Sequence, residues 1–204
     1  MQNIAYILYK ILEQIKLKFA LKYYALIVRI KFYFNNAKVG SISALGIPVL
    51  KISRGGLFIT GNNLNVRSGG KYTDTGGNRP CKFIVAKGAM LKIGNGVGIS
   101  SSTIVCKNSV TIGNNVFIGG GCHIVDTDFH PIDSKYRLNP KTSNSGASAP
   151  IVIEDNAFIG MSSIILKGVT IGKNSVIASG SIVVKNIPEN EIWGGNPAKF
   201  LKKI

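Results

Sequence analysis

The sequence predicts an all-β chain, a parallel β-helix solenoid with a helical extension before it and an external loop inserted into it. Three observations predict this. Apolar residues recur every six positions through the second half of the chain. A small or β-branched residue stands two places before almost every one of them. A single polar segment with three prolines interrupts the pattern.

The repeat is clearest from residue 153, where the chain reads IEDNAF IGMSSI ILKGVT IGKNSV IASGSI VVKNIP. Ile153, Ile159, Ile165, Ile171, Ile177 and Val183 mark the period. The preceding slots hold Ala157, Ser163, Val169, Ser175 and Ser181. An earlier run marks Ile93, Ile99 and Val105, slips by one residue, and resumes at Ile112, Ile118 and Ile124. Its slots hold Val97, Thr103, Val110, Val116 and Cys122, and a fainter version falls at Ile52, Phe58 and Leu64. An amphipathic helix repeats its apolar face every three or four residues, so a period of six is not helical. It fits a triangular coil of three short strands, each aliphatic side chain stacking on the one eighteen positions later. The small residue fits the corner, and the glycine or asparagine of "IGN" and "IGK" permits positive φ at the turn.

Residues 1–40 read differently. Ile4, Leu8, Ile11, Ile15, Phe19, Tyr23, Leu26, Ile30 and Phe34 are spaced three or four apart, with Lys10, Lys16, Lys18, Lys22, Arg29 and Lys31 among them. The spacing predicts a basic amphipathic helical region, separate from the coil domain of residues 41–204. No apolar run approaches the eighteen or so residues of a spanning helix. No small-residue cleavage site follows a short apolar core, unlike a signal peptide. Two readings stand: a pair of helices packed on the domain or a neighbouring subunit, or a surface lying on the inner face of an anionic membrane.

Composition narrows the partners. The 204 residues are 45% hydrophobic, enough for a core, and the formal charge is +16. Only Glu13 and Asp74 are acidic in the first 125 residues. A basic chain attracts nucleic acid, anionic lipid or a phosphorylated substrate. No nucleic-acid-reading motif is present, and aromatics are not interleaved with arginines in the repeats, so no nucleic-acid partner is expected. Cys81, Cys106 and Cys122 match no zinc spacing, and an odd count without a signal peptide fits the cytoplasm.

The frame stops at Ile124 and restarts at Ile153. Residues 126–150 hold Pro131, Pro140 and Pro150, and should bulge outward as a loop. Long loops on rigid repeats carry function. Both histidines of the chain flank the start of this break, His123 in the coil and His130 in the loop.

Two stretches, VTIGNNVFIGGGCHIVDTDFHPI and APIVIEDNAFIGMSSIILKGVTIGKNSVIASGSIVVKNIPENEIWGGNPAK, together with their order and distance, give a resemblance over roughly residues 52–204. The chain resembles the hexapeptide-repeat acyltransferases, in particular the maltose/galactoside-type and the capsule and exopolysaccharide O-acetyltransferases. The resemblance implies a left-handed coil, a homotrimer with sites between subunits, acetyl-coenzyme A as co-substrate and no metal. His130 matches the histidine of the family's "HP" motif, which implies a general base for direct attack by a sugar hydroxyl. An imidazole suits that task because its pKa lies near 7. Asp126 or Asp128 would orient it, while His123 should point outward and serve structure or an interface.

On the coenzyme side the resemblance implicates Phe158, where many relatives have tryptophan, then Gly160 and Met161, and Ser179 and Gly180 one coil on. Lys185, Lys199 and Lys202 match basic positions near the nucleotide phosphates, although Val184 stands where many relatives have threonine. Pro197 would turn the tail back over the coil. Ser100, Ser101 and Ser102 replace an asparagine-rich stretch of the simple sugar enzymes and would bind acceptor hydroxyls. That departure, and the basic helical region in place of an acidic one, favour a larger or lipid-linked glycan at the inner membrane face. The competing readings are an amino-sugar N-acetyltransferase or serine acetyltransferase, and a non-catalytic scaffold. A γ-carbonic-anhydrase-like zinc site needs three histidines, and this chain has two.

Overall fold

A computed structural model describes residues 2–73 and 79–204, so Asp74 lies outside the described residues. Three sheets form the walls of a prism. The first wall is ordered β1 (Ile42–Leu45), β4 (Leu64–Arg67), β7 (Gly98–Ser100), β10 (Phe117–Ile118), β13 (Phe158–Ile159), β16 (Val176–Ile177), β18 (Glu191–Gly194) and β19 (Lys199–Lys203). The second is β2 (Val49–Ile52), β5 (Lys82–Val85), β8 (Thr103–Cys106), β11 (His123–Val125), β14 (Ile164–Leu166) and β17 (Ile182–Val183). The third is β3 (Leu57–Thr60), β6 (Met90–Ile93), β9 (Ser109–Ile112), β12 (Ile151–Ile153) and β15 (Thr170–Ile171). The chain visits the three walls in turn, and all pairings are parallel except the closing β18–β19 hairpin. This is the left-handed parallel β-helix.

The core is a set of stacked side chains. Ile112, Ile153 and Ile171 align on the third wall, Ile118, Ile159 and Ile177 on the first, and Ile124, Ile165 and Val183 on the second. All nine are buried. One part of the sequence frame is corrected. Ile104, not Val105, pairs with Ile124, and Val105 aligns with Val125. Ser102, not Thr103, fills the corner slot and is buried. The reason is local: the turn before β8 is one residue short, and Lys107 and Asn108 lengthen the turn after it. On the first coil Leu50 likewise takes the stacked position, opposite Phe83.

The edge between the third and first walls is tied by an asparagine ladder. Asn115, Asn156, Asn174 and Asn190 have φ of 55°, 60°, 59° and 58°. Their amides bond coil to coil at 3.3, 3.0 and 2.7 Å. Asparagine tolerates this left-handed backbone, and its side chain also supplies the link. Beside it the Asp155 carboxylate accepts from Asn114 N at 2.6 Å and from the Asn114 amide at 3.2 Å. Those bonds, the main-chain one foremost, hold its pKa below the ordinary value. Its contribution is therefore present above the unfolded-state pKa and lost as the pH falls through the lowered one.

The N-terminal region is one continuous helix, α1 (Gln2–Phe34), rather than a pair. No glycine or proline falls within it to break it. Its second half caps the open end of the prism. Val28 and Phe32 are buried, and the Phe32 ring lies 5.1 Å from Phe58 and 6.5 Å from Phe83. The Tyr24 and Tyr72 hydroxyls bond at 2.8 Å, and the Lys31 ammonium donates to Pro48 O at 2.8 Å. The packed residues are thus Tyr24, Val28 and Phe32, four apart. The series from Ile4 to Phe34 that marks the helix in the sequence faces solvent instead.

Replacing Asn156 by alanine should lower stability by about 1–3 kcal/mol, from a strained φ and two lost ladder bonds. Asn156→Gly should lose less, since glycine accepts the backbone. Urea unfolding of the two variants checks the order, and equal losses would remove the strain from the account.

Candidate active site

The interrupting loop leaves β11 on the second wall and returns to β12 on the third, so it hangs from the edge between those walls. It has structure of its own. Thr127 and Ser148 form an antiparallel bridge, Asp128 N donates to Ala147 O at 2.9 Å, and Ala149 N donates to Asp126 O at 3.0 Å. The tip carries a short helix, α2 (Ser134–Arg137), whose first turn is capped by Asp133 accepting from Lys135 N at 2.8 Å. The Arg137 guanidinium closes the tip by donating to Pro131 O and Ile132 O.

His130 follows this stem and is exposed. Its Nδ1 lies 2.5 Å from Ser143 O. A carbonyl only accepts, so Nδ1 donates, and in the neutral ring Nε2 carries the lone pair. Ser143 and Gly146, which meet the ring and its backbone, are residues the sequence did not single out. A Cβ on Gly146 would come within 2.5 Å of His130 N, so the returning strand passes too close for any side chain. The glycine is visible in the sequence, but its opposing backbone is not.

The structure gives neither aspartate the expected task of orienting the imidazole. Asp126 is buried, and its two oxygens accept from Lys107 N and Asn108 N, each at 2.7 Å. It occupies the second-wall position after Val125, below Cys106, and closes the longer turn described above. Asp128 pairs with the Lys167 ammonium at 2.8 Å, tying the loop stem to the next coil, and its Oδ2 is buried without a partner among the described residues. His123 lies on the outer face of β11 between Thr103 and Ile164, as expected.

The residues assigned to the coenzyme gather on another edge, between the first and second walls. Gly121 N donates to Ser101 O, Ser162 N to Gly120 O and Gly180 N to Met161 O, so successive turns stack in a column. Gly160 packs so closely that a Cβ there would come within 2.5 Å of Ser179 N. Met161, Ser179 and Gly180 are exposed along the column. At its foot the turn containing Pro197 reverses the chain into β19, beginning at Lys199. Lys185 departs from this group, with its ammonium 5.1 Å over the Trp193 ring. Phe158 faces outward on the first wall, in a groove of about 270 Å³ with Phe117, Asn65, Arg67 and Ser100.

The three serines separate. Ser100 lines that groove. Ser101 and Ser102 are buried, and Ser102 Oγ donates to Gly119 O at 2.7 Å, so these two shape the corner rather than meet a ligand. The cysteines are buried as well. Burial pushes the Cys81 thiol up to about 11 and Cys106 up to about 12, and raises Cys122. None is a thiolate nucleophile at neutral pH. Among the described residues no group of three His, Cys, Asp or Glu side chains is placed to hold a metal.

Residues 150–185 match the family model described as the hexapeptide repeat of succinyl-transferase. The chain is 42% identical to the galactoside O-acetyltransferase of Escherichia coli, over 50% of this chain and 48% of that protein. It is 38% identical to gamma carbonic anhydrase 2 of Arabidopsis thaliana mitochondria, over 45% of this chain and 37% of that one. Among solved structures, a hexapeptide-repeat acetyltransferase from Vibrio cholerae, complexed with acetyl-coenzyme A, is 32% identical with a TM-score of 0.51. That alignment covers 55% of this chain and 60% of the Vibrio chain. The chain therefore spans less than two thirds of the curated relatives it matches, and about half or less of these two.

Two outcomes check this geometry. Asp126→Ala leaves the part-buried N–H groups of Lys107 and Asn108 without their acceptor and should cost about 1–3 kcal/mol in chemical denaturation. Ellman's reagent should find no fast thiol in the native protein at pH 8 and all three after denaturation; a rapid native thiol would contradict the burial of the cysteines.

Proposed function

We propose that this chain is a hexapeptide-repeat acyltransferase and transfers the acetyl group of acetyl-coenzyme A to a sugar hydroxyl, a reading that the repeat match over residues 150–185 supports. The acceptor is a bacterial surface glycan or its precursor, met at the cytoplasmic face of the inner membrane. The observation that carries the reading is the exposed His130 imidazole, whose Nδ1 is held by Ser143 O, so that in the neutral ring Nε2 is the nitrogen left to accept a proton.

In this mechanism Nε2 takes the proton of the acceptor hydroxyl as its oxygen attacks the thioester carbonyl. The tetrahedral intermediate collapses, the C–S bond breaks, and the imidazolium returns the proton to the leaving thiolate. A base so placed contributes about 10²–10⁴ in rate. The carbonyl of Ser143 fixes the tautomer and stabilises the charged ring by its dipole, which a carboxylate does in other histidine sites.

Acetyl-coenzyme A would run along the edge between the first and second walls, past Phe158, Gly160–Met161 and Ser179–Gly180 towards Lys199. His130 hangs from a different edge of the same prism. This separation supports a homotrimer in which one chain's loop meets its neighbour's column.

His130→Ala should reduce acetyl-coenzyme A-dependent thiol release with a glycan acceptor by about 10²–10⁴ in kcat, whereas His123→Ala should keep most of it. Similar activity in both variants would remove His130 from the mechanism. An absence of turnover and of coenzyme A binding in the unaltered protein would leave a β-helix scaffold as the better reading.

A further inference from the structure

Helix α1 carries two apolar stripes on opposite sides. Tyr24, Val28 and Phe32 form the one that packs on the prism. Ile4, Leu8, Ile15, Phe19, Leu26 and Ile30 form the other, about half a turn away at 100° per residue. These six are between 45% and 71% exposed. Residues 3–19 are exposed throughout; Glu13, Lys16 and Leu17 share a hollow with Lys71 and Tyr72, and the helix before them stands out from the body.

Charge decides what this outer stripe fits. The helix holds six cations and one acid, Glu13, which is paired with Lys16 at 3.3 Å. Lys18, Lys22 and Arg29 run along one border of the stripe, and Lys16 marks the other. A hollow of about 240 Å³ lies between Ile15, Phe19, Lys18 and Lys22, with an apolar floor and two ammonium groups. A second copy of α1 is a poor cover. The heptad seam that begins Ile4, Leu8, Ile11, Ile15 continues into Lys18, Lys22 and Arg29, setting like charges against each other in a parallel pair. Nor does the helix span a bilayer, because no described helix is long and apolar enough to cross one.

We propose that α1 docks this protein flat on an anionic phospholipid surface through its outer stripe. The aliphatic side chains enter the acyl boundary, and the lysine stems reach back to the headgroup phosphates. The helix leaves the cap across the turns holding Pro48 and Tyr72. Those turns head the same edge that carries Ser100, Met161 and Gly180. A lipid-linked glycan is therefore the acceptor class this docking favours; that step rests on the acyl-transfer reading, and the docking does not.

The test is flotation of the full chain with phosphatidylcholine vesicles, with and without phosphatidylglycerol. Binding should require the anionic lipid. The triple variant Lys18→Glu, Lys22→Glu, Arg29→Glu should bind at least about a hundredfold more weakly, from the contribution of each cation near the surface. A second variant, Ile15→Asp with Phe19→Asp, should also fail to float. All five positions are exposed and should leave the circular dichroism spectrum unchanged. Thiol release with a soluble acceptor should survive both changes, which separates failure of docking from failure of the enzyme reading. Equal flotation of the charge-reversed protein would overturn the proposal. So would a folded unaltered protein that ignores anionic vesicles, or an α1-dependent increase in oligomer size in its place.

Discussion

Each coil of this protein must place an aliphatic side chain directly over its counterpart in the next coil. The stacks Ile112–Ile153–Ile171 and Ile118–Ile159–Ile177 are that constraint made visible. Everything else accommodates it. Corners take small residues because the walls meet too closely for large ones, and the buried serines there turn their hydroxyls onto main-chain carbonyls, as Ser175 does to Pro188 O at 2.6 Å. Turns take asparagine because the left-handed backbone is then both tolerated and linked to its neighbour.

The same constraint explains how the loop is tolerated. An insertion is harmless only if the strands on either side of it keep their register. Asn114 and Asp155 do so across a separation of 41 residues, and Ile112 meets Ile153 as if nothing intervened. The loop can then be shaped independently, by its ribbon stem, the Asp133 cap and the close pass of Gly146 behind His130. A rigid solenoid thus carries a histidine away from its wall without loss to the core. Asp126 stands at the junction: it begins the loop, yet its carboxylate serves the preceding coil.

The open end of the stack needs a lid, and α1 supplies it with one of its two apolar stripes. Phe32 covers Phe58 and Phe83, which would otherwise meet water. The cap uses only the second half of the helix. The rest carries apolar and basic residues that the fold of a single chain does not employ.

Much of this was legible in the residues. The period of six, its corner slots and the break between Ile124 and Ile153 determine a triangular solenoid with one external loop, because stacked coils bury side chains only at that interval. The histidine–proline pair in the break is what directs the proposal of chemistry to the loop. Tertiary structure decided the rest. A turn one residue short moved the stacked position from Val105 to Ile104, and sequence spacing alone does not reveal where a turn contracts. Two backbone N–H groups from an earlier coil took the Asp126 carboxylate, and a carbonyl thirteen residues on took its expected place beside His130. Which stripe of α1 faces the protein was likewise set by the aromatic residues at the end of the stack. In each case the deciding partner lies far along the chain, so only the folded coil brings it within reach.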